Sequence, residues 1–325
     1  MNTPRMAWKR TREIPMPNET TPRRPMTLVA RRRSLNDRLK NEAARRGVSD
    51  SFVRKQYIFA VFFGRVFRGA DPRWLLLGGN ALLIRTGGGR FTQDIDLARS
   101  SDWDSIEELE TELRHLAEQK SDDGFRFEVK SVADRSQPNQ YGYGGRTAKA
   151  SVVAYLGTQT FETFSIDITV RRHVDGPVDH LQPRPVIADA ALDDLPSVPT
   201  VPIENHLADK ISALYEPHHS GVSTRYRDLA DIVRIVKDLE FSATRLDELL
   251  EHETQRRCIR RPERLVSPGP SWEHDYPQAA KDFAEFPVEL HALSASLSYA
   301  GHALNEVLAQ ERTTGMWDPI QQAWN

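Results

Sequence analysis

The sequence predicts an α+β domain followed by a helical domain. Two patterns and a junction carry that expectation. Between residues 73 and 170, helical patterns are interspersed with short runs in which apolar and polar positions alternate, the mark of half-buried strands. From residue 204 onward the apolar positions recur at helical spacing instead. A proline-rich stretch, residues 176–202, reads as the connection between the two halves. The chain has 325 residues, 39% of them hydrophobic and 28% charged, which suits two globular domains with real cores.

The elements follow in order. Residues 1–33 hold five prolines and no periodicity, and read as a basic, disordered arm. The run "SLNDRLKNEAARRG" reads as a helix with Ser34 as N-cap and Gly47 as its stop. Residues 50–67 form a second, mostly apolar helix. "RWLLLGG" is a short strand entering a turn, and "NALLIR" starts a helix capped by Asn80. "QDIDLAR" is a strand and residues 105–118 an amphipathic helix. Three strands follow in "FRFEVKSV", "TAKASVVAYLG" and "TFSIDITV", the first two joined by a loop containing "YGYGG". The helices of the second half include "ENHLADKISALY", "YRDLADIVRIVKDL" and "RLDELLEHETQRRC".

Composition narrows the classes. Net charge is −2, yet residues 1–55 carry fifteen Lys/Arg against five Asp/Glu, so a basic start precedes an acidic body. Such an arm suits phosphate or an acidic partner; a solvated tail is the plainer alternative. Apolar runs stop well short of a membrane span, and the N-terminus lacks an apolar signal core. The lone cysteine, Cys258, excludes an internal disulfide and fits a reducing cytoplasm.

The chemistry concentrates in "LLLGGNALLIRTGGGRFTQDIDLARS". On a strand, Asp94 and Asp96 share one face. Two carboxylates about 5 Å apart repel by a few kcal/mol at an effective dielectric near 20, so a cation, a raised pKa or an arginine must offset them. In "FSIDITV", Asp167 projects from the face opposite Ile166 and Ile168. Aspartate is depleted in strands, and three oxygen-only ligands suit Mg²⁺ or Mn²⁺. Gly78 and Gly79 allow close approach of a phosphate, and the helix N-terminus at Asn80 offers free N–H groups. Arg90 either contacts phosphate or balances the aspartates. In the helical half, Lys210 and Asp228 lie at the edges of apolar stripes, with Asp231 pointing further out. Each of these three is also readable as a plain surface charge. The basic runs around Arg225 and Arg227 and over residues 256–264 suit an RNA backbone or, equally, local ion pairs.

Taken together, Leu77-Gly78-Gly79, Asp94-Ile95-Asp96 and Asp167 resemble the nucleotidyltransferase superfamily that includes DNA polymerase β. More closely, "LLLGGNALLIR", "RFTQDIDL", "LADKISAL" and "RYRDLADIVRI" resemble the AbiEii/AbiGii toxin nucleotidyltransferases, from about residue 36 to the last helices. The resemblance implies a mixed sheet flanked by helices over residues 34–200, and a helical domain, 201–325, that completes the active site. It also implies transfer of NMP from an NTP to an acceptor hydroxyl, commonly on tRNA, by a toxin with a cognate antitoxin. Asp94, Asp96 and Asp167 would hold Mg²⁺ or Mn²⁺. Gly78, Gly79, Asn80, Arg90, Lys210 and Asp231 would contact the nucleotide, and Asp228 would position Lys210 or the acceptor. Two rivals stand beside this reading. One is a small-molecule nucleotidyltransferase of the aminoglycoside-modifying kind; the other is a non-catalytic nucleic-acid or partner-binding module.

Overall fold

The computed structural model describes residues 27–69, 73–88, 92–136, 146–170, 178–217, 221–283 and 286–325. Two helices open it, α1 (Leu28–Arg46) and α2 (Asp50–Val66). Helix α1 starts seven residues earlier than expected, because Thr27 rather than Ser34 supplies the cap: its side chain accepts from Ala30 N–H. Gly47 stops it as expected, in the left-handed region at φ 68°.

The chain then alternates strand and helix: β1 (Trp74–Leu76), α3 (Gly78–Thr86), β2 (Ile95–Arg99) and α4 (Ile106–Ala117). Three long strands follow, β3 (Phe125–Asp134), β4 (Thr147–Leu156) and β5 (Gln159–Val170). The proline-rich connection is more than a connection. It holds β6 (Asp179–Leu181) and β7 (Val198–Thr200), which join the sheet on the far side of β1. Among the described residues the sheet has seven strands in the order β3-β4-β5-β2-β1-β7-β6. It is mixed: β2 runs parallel to β5, and β1 runs parallel to β7 but antiparallel to β2.

Alternation gives the sheet two different faces. Ile95, Leu97, Ala148, Ala150, Val152, Ile166 and Ile168 face the main core. There α2 supplies Phe59 and Phe62, and the Phe62 ring meets Phe127 and Phe164 edge-on at 5.1 and 5.3 Å. The opposite face carries Asp96, Lys149, Asp167 and Thr169, one residue out of phase with the apolar set.

The second half comprises α5 (Ile203–Tyr215), α6 (Tyr226–Asp238), α7 (Ala243–Arg256), α8 (Trp272–Ala280) and α9 (Leu293–Leu308). It is not wholly helical. Strands β8 (Phe241–Ser242), β9 (Met316–Asp318) and β10 (Ala323–Trp324) make a small separate sheet. Its own core contains Trp272, Tyr276 and Trp317, and one residue from the first half, Leu82 of α3. The buried polar tips are satisfied: Trp272 Nε1–H donates to Ser223 O at 2.8 Å and Trp317 Nε1–H to Val236 O at 2.7 Å. No described helix is long and apolar enough to cross a membrane.

Candidate active site

The turn from β1 into α3 lies directly on an aspartate. Leu77 N–H donates to Asp96 O at 2.9 Å, extending the β1–β2 pairing by one bond. The next residue, Gly78, sits at φ +62°, and a Cβ built on it would fall 1.9 Å from Asp96 Oδ2. Only glycine fits between this backbone and that carboxylate. Helix α3 begins at Gly78, with Leu77 as N-cap and no capping side chain. Asn80 is therefore not the cap expected from the sequence. It is buried in the first turn, and its Nδ2–H donates to Asp94 O at 2.8 Å, tying the helix to the segment before β2.

The three aspartates lie at neighbouring positions. Asp96 and Asp167 are direct partners across β2 and β5, and Lys149 on β4 is the direct partner of Asp167 on its other side. One row across three strands thus reads Asp96, Asp167, Lys149. Asp94, just before β2, accepts from Ser165 Oγ–H. Lys149 Nζ lies 3.1 Å from Asp167 Oδ1 and 3.9 Å from Asp94 Oδ2. Lys149 is thus one answer to the charge problem posed by the motif, and the sequence reading missed it. Its signal was legible: a single lysine on the polar phase of the strand "TAKAS".

The donor set is chemically apt for a hard divalent ion, since it offers carboxylate oxygens on one exposed sheet face. Among the described residues, however, no three His, Cys, Asp or Glu side chains stand grouped to hold a metal. The lysine stands between two of the candidate ligands instead.

A cleft of about 320 Å³ separates this sheet face from α5. Gly78, Ala98 and Thr169 line it from the sheet, and Asn205, His206 and Lys210 from the helix. Lys210 is not the half-exposed edge residue its spacing suggested. It is buried, and its ammonium donates to Asp228 Oδ1 at 2.9 Å and Asp231 Oδ2 at 2.6 Å. Asp231, expected to point outward, is only 2% exposed, less than Asp228. The two aspartates lie three residues apart on α6 and so share one face, turned toward α5.

His206 and Asn205 were not singled out from the sequence. Burial, helped by the charges of Arg85 and Lys210, pushes the His206 imidazole down to about 3, so it is neutral near pH 7. Among the described residues none bonds its Nε2 or the Oδ1 of Asn205. Most arginines of the basic runs make ion pairs. Arg257 joins Asp209, Glu216 and Glu253, Arg261 joins Asp247, and Arg227 joins Asp282. Arg90 and "YGYGG" lie outside the described residues.

A mixed sheet with a glycine turn seated on an Asp-x-Asp strand, beside a third strand aspartate, defines a nucleotidyltransferase of the DNA polymerase β type. The chain belongs to the AbiEii family: the family model for the nucleotidyl transferase AbiEii toxin of type IV toxin–antitoxin systems matches residues 61–309. Among solved structures, the nucleotidyltransferase toxin MenT4 from Mycobacterium tuberculosis H37Rv is similar in fold. Its TM-score is 0.51 at 16% identity, over 84% of this chain and 88% of that one. A candidate nucleotidyltransferase from H. pylori aligns over 81% of this chain and 97% of its own, at 13% identity and a TM-score of 0.42. No curated protein matches.

Proposed function

We propose that this nucleotidyltransferase toxin moves NMP from an NTP to a hydroxyl of RNA, most plainly tRNA, in the cytoplasm, and that a cognate antitoxin opposes it. The observation that carries the reading is the row of Asp96 and Asp167 on parallel strands, with Gly78 packed on Asp96. Asp94, Asp96 and Asp167 would hold Mg²⁺ or Mn²⁺, which when bound neutralises phosphate charge and aligns the attacking oxygen.

The chain's own residues do the rest. The first N–H groups of α3, at Gly78, Gly79 and Asn80, point their dipole toward the triphosphate. Asp167 accepts the proton of the acceptor hydroxyl. The hydroxyl oxygen then bonds to the α-phosphorus, the bond from that phosphorus to the bridging oxygen breaks, and pyrophosphate leaves with its electron pair. Lys210, at the cleft wall, supplies positive charge as the leaving group forms. Asp228 and Asp231 fix the direction of that ammonium. The choice of RNA rests on the family, since the ion-paired arginines no longer argue for it.

The test is transfer of α-³²P label from each NTP to total RNA, with Mg²⁺ or Mn²⁺ present. Label should appear in RNA, disappear with EDTA, and fall at least a hundredfold in Asp96→Asn, about the loss typical of one charge-stabilising group. Label on an aminoglycoside but not on RNA would favour the small-molecule rival. RNA binding without any transfer would favour the non-catalytic one.

A further inference from the structure

We propose that Lys149 is a built-in counter-cation, which holds the aspartate site before a divalent ion arrives and must leave when one binds. This rests on the metal-site reading given above. Lys149 Nζ lies 3.1 Å from Asp167 and 3.9 Å from Asp94, so it sits among the oxygens a metal would use. A divalent ion takes carboxylate oxygens at about 2.0–2.1 Å if it is Mg²⁺. Its charge and the ammonium cannot share that space.

Three features make the exchange feasible. The lysine side chain is 38% exposed, and the aspartates it touches are 42% and 46% exposed, so the contact is wet and weakly held. Its neighbours along β4 on the same face, Thr147 and Ser151, carry no charge, so the single cation is specific to this register. A flexible four-carbon stem lets the ammonium swing away from the carboxylates toward an incoming phosphate oxygen. The resting site then avoids carboxylate repulsion without a metal, and it favours cations that arrive with a polyphosphate able to take over the lysine.

The full-length protein can be titrated with Mn²⁺ in the absence of nucleotide, with free Mn²⁺ read by electron paramagnetic resonance. Lys149→Gln should tighten Mn²⁺ binding by about three- to tenfold, a change of up to ~1.4 kcal/mol. Lys149→Arg keeps the charge and should not tighten it. Asp94→Asn should weaken binding in either background. In turnover, Lys149→Gln should raise KM for the NTP. Lys149→Met replaces the glutamine variant should that one lose the native circular-dichroism spectrum. Unchanged or weaker Mn²⁺ binding in Lys149→Gln, with Asp94→Asn still harmful, overturns the role of Lys149 alone. Mn²⁺ binding indifferent to both Asp94→Asn and Asp96→Asn overturns the metal site together with the proposal.

Discussion

Lys210 was recognisable as important but not as buried. Spacing places it at the border of an apolar stripe, and a border position says nothing about what packs over it. Two carboxylates on α6 close over it, at 2.9 and 2.6 Å. The energetic consequence differs from that of a surface lysine, whose removal changes stability by about 0.5 kcal/mol or less. Lys210→Met removes the ammonium held between Asp228 and Asp231, and breaking a buried ion pair in this way costs about 3–5 kcal/mol. Urea denaturation should register that loss, and adding Asp231→Asn should restore part of it by removing one of the two carboxylate charges. A loss below about 1 kcal/mol would mean that water reaches the cluster. Asp94, Asp96 and Asp167 were legible individually because aspartate is rare in strands. Their cation was not, since it arrives from β4, a strand with no motif of its own.

At the scale of elements, the long strands were readable because each keeps an alternating run, about six residues in β3 and β5 and the whole length of β4. The strands β6 and β7 were not. Each is three residues long, β7 has Pro199 at its centre, and both lie in a stretch whose prolines signal loop. The small sheet of β8, β9 and β10 was hidden for the same reason, with two or three residues per strand. Helix α3 was placed correctly but its cap was misread. Asn80 looks like an N-cap from its residue type, yet the cap is Leu77, three residues earlier, because Gly78 can adopt φ +62° against Asp96. That frees the Asn80 amide to clamp Asp94 O from a site 3% exposed. Asn80→Ala removes the donor and leaves a carbonyl short of a partner, a cost of about 1–3 kcal/mol. Because that carbonyl belongs to a candidate metal ligand, transfer activity should fall more steeply than stability. Equal activity per folded molecule would reduce Asn80 to a structural clamp.

The whole molecule is held together across the cleft, and two residues report on that. His206 lies on α5, in the wall facing the sheet, neutral and with its imidazole pushed down to about 3. The unfolded chain takes up this proton below about pH 6.5, while the folded one resists until about pH 3. Stability from this source is therefore complete above pH 6.5 and is lost as the pH falls, at up to about 1.4 kcal/mol per pH unit. Above about pH 5 ordinary carboxylates remain ionised and contribute little to the fall in urea midpoint between pH 6.5 and 5, whereas the buried imidazole contributes to it. His206→Gln should flatten it, and an unchanged slope would show that the imidazole is hydrated. Leu82 reports on the coupling of the halves. It belongs to α3, whose first turn carries the glycines of the site, yet its side chain is 3% exposed within the core of the helical half. Arg85, one turn further on, donates to Val201 O at 2.7 Å, on the segment that leads into α5. A helix anchored on both sides makes the sheet and the helices poor candidates for separate unfolding. Leu82→Ala removes buried methyl groups and leaves a cavity, at a cost of about 2–5 kcal/mol. If the halves unfold together, tryptophan fluorescence and far-ultraviolet circular dichroism should shift by the same amount and stay superimposable in urea. If the helical half unfolds first, the two curves should separate in the variant, and the cleft would then be a seam between two independently stable bodies.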